Sequence, residues 1–229
     1  MAPPKNLEAI ARILKRRYGD FDHFNRHNPL EELIFIICSV QTAEVSYRRT
    51  FRALRDEFKT FDRLNEAPAE YLARPLKPGG LSEQKSKSLR RIFDTICEEF
   101  GRLTLSPLKD YSDDECEAFL TSLPSVGKKV ARCVMMYSLD REVFPVDTHC
   151  WRIARRLGWV RTTTSDGHCS HRDMDRLQEK IPPKWRFSLH VNFISLGREF
   201  CTAATKPDCI ACPISTHCRK IGVRSGDPK

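Results

Sequence analysis

Apolar residues recur at helical spacing along most of the chain. In the first such segment they follow the i, i+3, i+4, i+7 pattern of a single helix face from Leu7 to Leu14, and Gly19 then marks a stop. The same spacing predicts further helices over residues 47–58, 64–72, 85–100, 128–139, 148–157, 174–181 and 188–200. No segment sustains the two-residue alternation of a half-buried strand. The pattern therefore predicts an all-α fold.

The longest apolar run, Leu33–Val40, does not identify its own secondary structure. It is apolar on every side, so it fits a buried helix and a short buried strand almost equally well. Pro29 and the acidic pair Glu31 and Glu32 are typical of a helix N-terminus, and we therefore interpret the run as part of a buried helix. The run is far shorter than the ~20 residues that a membrane-spanning helix needs.

Three short segments interrupt the helical pattern. Lys77–Leu81 contains Pro-Gly-Gly, a turn that a helix cannot cross. Ser112-Asp-Asp-Glu115 has the Ser-x-x-Glu form of a capping box, which predicts a helix start. Residues 161–171 are polar, and we interpret them as a loop. The His-Cys-Ser-His run at 168–171 within it is a weaker candidate for a second metal site.

The composition is that of a globular protein with an excess of positive charge. Of 229 residues, 40% are hydrophobic and 30% are charged, which excludes a disordered chain and suits one large or two small domains. The 39 Lys and Arg residues outnumber the 30 Asp and Glu residues, for a formal charge of +9. This surplus indicates a polyanionic partner, and nucleic acid is the first candidate. No apolar signal segment follows Met1, which predicts that the protein is not secreted.

Ten cysteines in a chain of this kind indicate thiols or metal ligands rather than disulfides. Four of them follow the spacing C-x7-C-x2-C-x5-C near the end of the chain, namely Cys201, Cys209, Cys212 and Cys218. Four thiolates can hold zinc or an iron–sulfur cluster. Zinc sites usually present two close pairs, and only Cys209 and Cys212 form one here. The spacing therefore favours a cluster and leaves zinc, or four unrelated thiols, as alternatives.

A tight turn joins two predicted helices in the segment Leu123-Pro-Ser-Val-Gly-Lys-Lys129. Such a helix-hairpin-helix directs backbone N–H groups and the positive end of the second helix toward one point, which suits a phosphate. Its candidate DNA contacts are Ser125, Val126, Gly127 and Lys128. Lys129 lies where the helix dipole, Lys128 and Arg132 disfavour a positive charge, which would enlarge its share of nucleophilic free amine. From spacing alone, contact of both lysines with the DNA backbone is the favoured interpretation.

A second candidate site lies eighteen residues after Lys129, in the segment Phe144-Pro-Val-Asp-Thr-His149. Asp147 directly precedes a predicted helix there. An aspartate at that position is commonly an N-cap, which would be a sufficient explanation by itself.

The hairpin, the segment with Asp147 and the four cysteines follow one another along the chain in this order. Together they resemble the endonuclease III branch of the helix-hairpin-helix DNA glycosylases. The likeness extends from about Leu7 to Cys218. It implies two helical domains with the active site in the cleft between them. Residues 22–140 would form a helical barrel that ends in the hairpin, and residues 1–21 with 141–229 would form an iron–sulfur cluster domain. Members of this family remove damaged bases from DNA, and many then cut the strand at the abasic site.

The resemblance also implies roles for individual residues. Lys129 occupies the position of the catalytic lysine and Asp147 that of the catalytic aspartate, and the four cysteines match the ligands of a [4Fe–4S] cluster. Ser39-Val-Gln-Thr42 is similar to the family's Ser-Ala-Gln motif, which implies that Gln41 fills the space left by the flipped base. Leu81 matches the residue that wedges into the opposite side of the duplex. His149 is implied as a further DNA contact.

The chain departs from the family pattern in two of these motifs. Ser125 replaces the first glycine of the usual Leu-Pro-Gly-Val-Gly hairpin, and a positive φ at that position would cost serine on the order of 1 kcal/mol. The first cysteine gap has seven residues where the family commonly has six. In addition, Phe144-Pro-Val-Asp-Thr148 and Val191-Asn-Phe-Ile-Ser-Leu-Gly197 are similar to the plant glycosylases that excise 5-methylcytosine.

The implied function is a bifunctional DNA glycosylase and abasic-site (AP) lyase of base excision repair. It would excise a modified base, with a pyrimidine favoured, through a lysine imine and then cleave the strand by β-elimination. The alternatives are a monofunctional mismatch, adenine-type or 5-methylcytosine-type glycosylase and a non-catalytic DNA-binding module. The expected partner is double-stranded DNA with damaged or modified bases or abasic sites. We expect a monomer without a membrane partner, located in the cytoplasm or nucleoid of a prokaryote or in the nucleus of a eukaryote.

Overall fold

The structure, a computed structural model, describes residues 2–160, 169–203 and 207–223. Throughout these ranges the regular elements are helices and no strand occurs, which confirms the predicted all-α class. The α-helices are α1 (Leu7–Tyr18), α2 (Pro29–Ser39), α3 (Glu44–Phe58), α4 (Phe61–Glu66), α5 (Ala69–Leu76), α6 (Ser82–Phe100), α7 (Asp113–Ser122), α8 (Lys128–Ser138), α9 (Thr148–Leu157), α10 (His171–Lys180) and α11 (Pro183–Glu199). Short 3-10 turns occupy Lys77–Gly79, Ser106–Asp110 and Ser215–His217. No helix in the described ranges has the length and apolar character needed to cross a membrane.

The chain divides into two compact units. Residues 25–141 form one, which we call the hairpin unit because it contains the predicted helix-hairpin-helix. Residues 1–24 and 142–229 form the other, which we call the Cys-rich unit because it contains the four clustered cysteines.

The hairpin unit is built around the apolar run that the sequence left ambiguous. That run is helical and belongs to α2, whose N-terminus is capped by the side chain of Asn28, with Pro29 in the first turn. Helices α3, α6 and α8 all pack against α2, so the helix is buried around most of its circumference. Burial on every side explains why α2 carries no one-sided apolar stripe.

The Cys-rich unit combines the start of the chain with its C-terminal part. Helix α11 packs against α1 and α9, and the large side chains between these helices include Trp151 and Phe193, both buried. The cysteine segment lies at the edge of the same core, where Cys212 and Cys218 pack against its buried residues. The N-terminal helix is thus part of one hydrophobic core with residues far along the chain.

The structure corrects one predicted helix and extends four others, α3, α6, α10 and α11, toward their N-termini. The prediction of a single helix over residues 64–72 is wrong, because Ala67 is extended (φ −72°, ψ 125°) and separates α4 from α5. Pro68 explains the break, since a proline disfavours helical backbone at the residue before it. Helix α10 starts earlier than predicted because Ser170 caps it, and α11 starts earlier with Pro183 in its first turn. Residues 161–168 of the predicted polar loop lie outside the described residues.

Candidate functional site

The predicted hairpin is present between α7 and α8. The capping box at Ser112 and Glu115 starts α7 as expected, and Val126 N donates to Leu123 O (3.1 Å) within the turn. Ser125 has φ 64°, so the position where the family usually has glycine does require the left-handed region. Gly127 is the N-cap of α8 and has no side chain to cap the first N–H groups of the helix. These groups lie at the end of the turn, as the phosphate-binding interpretation requires.

Both hairpin lysines lie in the first turn of α8, and Glu117 of α7 contacts the first of them. Lys128 Nζ lies 3.0 Å from Glu117 Oε1, and Arg132 Nε donates to the other carboxylate oxygen at 2.5 Å. Lys129 is half-buried in the same turn. Glu117 therefore offsets part of the positive charge that the sequence analysis placed beside Lys129. Sequence reasoning missed this residue because the contact depends on how α7 packs against α8.

Three of the predicted DNA-contacting residues line one pocket of about 120 Å³ in the hairpin unit. They are Gln41 (φ 50°), Leu81 (φ 52°) and Ser125 (φ 64°), and all three have left-handed backbone. Such conformations cost a residue other than glycine on the order of 1 kcal/mol each and are concentrated at functional sites. The side chain of Leu81, which immediately precedes α6, is 47% exposed.

Lys85 also lines this pocket, and sequence reasoning did not single it out. It lies on α6 and is 4% exposed. Burial lowers the pKa of its ammonium group, because water no longer solvates the charge. The sequence does hold a signal, since Lys85 shares the i, i+4, i+7 spacing of the buried residues Leu89 and Ile92. A lysine on the apolar stripe of a helix is expected to have polar partners in the interior.

Asp147 belongs to the Cys-rich unit, whereas Lys129 belongs to the hairpin unit. Asp147 is the N-cap of α9, and its Oδ1 accepts from Cys150 N at 2.7 Å, which confirms the predicted N-cap. Just before it, the carbonyl of Pro145 lies 2.9 Å from Nδ1 of the buried His190. The carboxylate thus lies on a segment that is held on both sides. Its catalytic role stays a prediction.

His149 is half-buried and packs against α11. Its Nδ1 lies 2.9 Å from Arg152 Nη2, so Nδ1 accepts the bond and the proton of the neutral ring is on Nε2. Burial is the main cause that lowers the pKa of His149. The charge of Asp147 opposes this shift, and the charges of Arg152 and Arg198 add to it. The backbone of Gly197 packs so closely against the imidazole ring of His149 that no space is left for a Cβ atom at position 197. The predicted contact of His149 with DNA stays a prediction.

The four clustered cysteines line one small cavity of about 20 Å³ in the Cys-rich unit. Burial raises the pKa of Cys212 to about 11, and the charges of the other three thiols act in the same direction. Within the described ranges, no three His, Cys, Asp or Glu side chains are arranged to hold a metal ion. Four thiolates are a ligand set found both for iron–sulfur clusters and for structural zinc.

Two buried arginines of α9 fix the start of the cysteine segment. Arg152 Nε donates to Cys201 O (2.8 Å), and Arg156 Nη1 donates to Cys201 Sγ (3.3 Å) and to Thr202 O (2.8 Å). At the other end of the segment, Lys220 N donates to Cys218 Sγ at 3.4 Å. N–H donors directed at cysteine sulfur are a means by which proteins stabilise and tune iron–sulfur clusters. The donor set and its surroundings therefore fit such a cluster.

Comparison with known proteins gives relatives that cover most of the chain. A putative DNA glycosylase of Arabidopsis thaliana is 31% identical over 74% of this chain, and the chain spans 56% of that protein. The DNA glycosylase/AP lyase ROS1 of the same plant is 28% identical over 68% of this chain, which spans only 12% of its length. Endonuclease III of Thermotoga maritima is 26% identical, with 93% of this chain and 92% of the relative covered.

Solved structures show the same fold at lower identity. A non-covalent complex of endonuclease III with DNA matches with a TM-score of 0.78, at 24% identity over 96% of this chain and 97% of that chain. Residues 34–181 match the family described as "HhH-GPD superfamily base excision DNA repair protein". This range contains the hairpin, Lys129 and Asp147, and it confirms the resemblance seen in the motifs. The chain belongs to the HhH-GPD superfamily of base excision DNA repair proteins.

Proposed function

We propose that the protein is a bifunctional DNA glycosylase and AP lyase that excises a modified base, with a pyrimidine favoured, from double-stranded DNA. The observation that carries the proposal is the position of Lys129 in the first turn of α8, directly after the hairpin turn. A binding module would need the hairpin and the basic surplus but no amine at this position. The names of the endonuclease III and AP lyase relatives support the same reaction class.

Lys129 would act as the nucleophile. Its free amine attacks C1′ of the damaged nucleotide, the glycosidic bond breaks, and the base leaves with the bonding electron pair and takes up a proton. Loss of a further amine proton and opening of the sugar ring give a covalent imine. Removal of a proton from C2′ then expels the 3′ phosphate, which cuts the strand. Water finally hydrolyses the imine and releases Lys129.

Asp147 would stabilise the positive charge that develops on the sugar as the glycosidic bond breaks. A carboxylate suits this role only if its direction is fixed, and the bond from Cys150 N to Oδ1 supplies that restraint. Gln41 and Leu81 would offset the cost of removing the base from the stack, which is a few kcal/mol and smaller for a mispaired base. Their left-handed backbone supports this role, because it presents both side chains at one pocket.

We also propose that the protein carries a [4Fe–4S] cluster. Its ligands would be Cys201, Cys209, Cys212 and Cys218, which line the thiol cavity described above. The bound group would supply metal–thiolate bonds that order the C-terminal segment, and none of the steps at Lys129 or Asp147 requires it.

The decisive experiment is borohydride trapping on duplexes that carry an abasic site, single modified pyrimidines or mismatches. We expect a covalent complex with the wild-type protein and none with Lys129→Ala, which should keep most of its affinity for DNA. Lys128→Ala is the matched control, since it removes the neighbouring lysine of the same turn and should leave trapping intact. Asp147→Asn should slow base release by orders of magnitude. Its cleavage of a preformed abasic site should suffer less, because the base has already left.

Two outcomes would contradict the proposal. Trapping that persists in Lys129→Ala would move the nucleophile to another amine. Absence of trapping in the wild-type protein on every duplex, together with tight binding, would indicate a non-catalytic module or a monofunctional glycosylase. Release of free base without strand cleavage would then distinguish these two.

A further inference from the structure

One buried lysine connects the two turns that carry Gln41 and Leu81. Lys85 Nζ donates to three oxygen atoms, which are Cys38 O (2.9 Å), Thr42 Oγ1 (2.7 Å) and Gly79 O (3.0 Å). An ammonium group has three N–H donors, and all three are used here. The oxygens come from both sides of Gln41 and from the turn just before Leu81.

The acceptors suit a positive charge. Cys38 lies in the last turn of α2, where carbonyl groups lack partners within the helix and the helix dipole is negative. Gly79 ends the 3-10 turn that leads to Leu81. Thr42 Oγ1 also lies 2.7 Å from Gly79 O and can donate to it, so the two turns are joined directly as well as through Lys85. The backbone N of Lys85 donates to Leu81 O at 2.9 Å.

This network coincides with backbone strain. Gln41 and Leu81 both have positive φ, and residues other than glycine keep such conformations only where their surroundings hold them. A buried charge is costly unless polar partners surround it. The bonds of Lys85 restrain both strained turns at once, which an apolar side chain could not do.

We propose that Lys85 is a positioning residue, which clamps the turn of Gln41 to the turn of Leu81 and so presents both side chains to the DNA duplex. This inference rests on the proposed function for its final step, the insertion of the two side chains. Lys85 itself is not a nucleophile, because its amine is buried and its donors are occupied. It acts only through the residues that it holds.

The test uses Lys85→Met, which keeps an unbranched side chain and removes the ammonium group with its three donors. Hydrogen exchange measured by mass spectrometry should become at least tenfold faster at residues 39–43 and 77–81 and stay unchanged in the Cys-rich unit. Insertion is measured with 2-aminopurine placed beside a tetrahydrofuran abasic-site analogue in a duplex. We expect the fluorescence rise on binding at saturating protein to fall at least fivefold relative to wild type.

Lys109→Met is the matched control, because it removes an exposed lysine from the hairpin unit with the same change of charge. It should change neither the exchange rates nor the fluorescence. If Lys85→Met does not fold, Thr42→Val carries the test, since it keeps the side-chain shape and removes the hydroxyl shared by Lys85 and Gly79. In Thr42→Val, hydrogen exchange at the same two turns should also become faster than in wild type, but by a smaller factor than in Lys85→Met.

A double-mutant cycle with Leu81→Ala distinguishes positioning of Leu81 by Lys85 from a general contribution of Lys85 to the structure. If Lys85 acts through Leu81, the double variant should show a fluorescence loss close to that of the more affected single variant rather than the product of both. Multiplied losses, or unchanged exchange at both turns, would overturn the inference. If the wild-type protein itself gives no fluorescence rise, the proposed function fails, and the exchange rates alone decide whether Lys85 clamps the turns.

Discussion

Replacing Gly197 by alanine tests the contact between α11 and the helix that carries Asp147. A Cβ atom at Gly197 would overlap Nδ1 of His149 and would lie 2.8 Å from Cγ and 2.9 Å from Cβ of that residue. The ring cannot simply turn away, because Nδ1 is bonded to Arg152, whose side chain is buried and also donates to Gly197 O (3.3 Å). His149 lies only two residues after Asp147, so displacement of the ring disturbs the start of α9.

One favourable and two unfavourable contributions decide whether Gly197→Ala raises or lowers the free energy of unfolding. Alanine in a helix interior is favoured over glycine by about 1 kcal/mol. Overpacking a well-filled interior costs about 1–3 kcal/mol, and loss of the bond between His149 and the charged Arg152 costs a further 1.5–3 kcal/mol or so. We therefore expect Gly197→Ala to lower the free energy of unfolding by about 2 kcal/mol or more, which is roughly 4–8 °C in Tm for a chain of this size.

Urea unfolding followed by tryptophan fluorescence measures this directly. All three tryptophans, Trp151, Trp159 and Trp185, belong to the Cys-rich unit, so the signal reports the unit that contains Gly197. The control is the same substitution in a His149→Gly background, which removes all three contacting atoms. In that background only the preference of a helix for alanine over glycine remains, and Gly197→Ala should leave the free energy of unfolding unchanged or raise it. Equal destabilisation in both backgrounds would refute the reasoning.

Three further predictions concern the hairpin, the cysteines and pH. Ser125→Gly should raise the free energy of unfolding by about 0.5–1 kcal/mol in urea titrations followed by circular dichroism, because it relieves the positive φ; a decrease would contradict this. Cys212→Ala should reduce iron well below the roughly four atoms per chain of a [4Fe–4S] cluster and should destabilise the Cys-rich unit. Zinc without iron in anaerobically purified wild-type protein would contradict the cluster. Burial lowers the pKa of His149 below 6.5, so as the pH drops the imidazole is protonated in the unfolded chain before it is protonated in the folded protein. The free energy of unfolding should therefore decrease as the pH drops below about 6.5. His149→Asn should reduce this dependence, whereas an identical pH profile in both proteins would count against it.

The amino-acid sequence by itself determined the class of the fold and much of its local structure. Helix α9 occupies the predicted residues 148–157, and the capping box at Ser112 starts α7. These features depend on interactions within about four residues, such as caps and helical periodicity, so the local sequence specifies them. The prediction of a single helix over residues 64–72 was wrong because it followed the helical spacing of the apolar residues and disregarded Pro68, a local signal for a helix break.

The sequence also predicted, from their motifs and order, that the hairpin, Lys129, Asp147 and the four cysteines carry the chemistry. Their surroundings were decided only by tertiary structure. Glu117 partners Lys128 because α7 folds back on α8, and Lys85 reaches Cys38 from 47 residues away. No periodic pattern encodes such pairs, because the contacts form only when helices distant in the chain pack together. The charge of a side chain can be read from one position, but its partner depends on the packing of the whole unit.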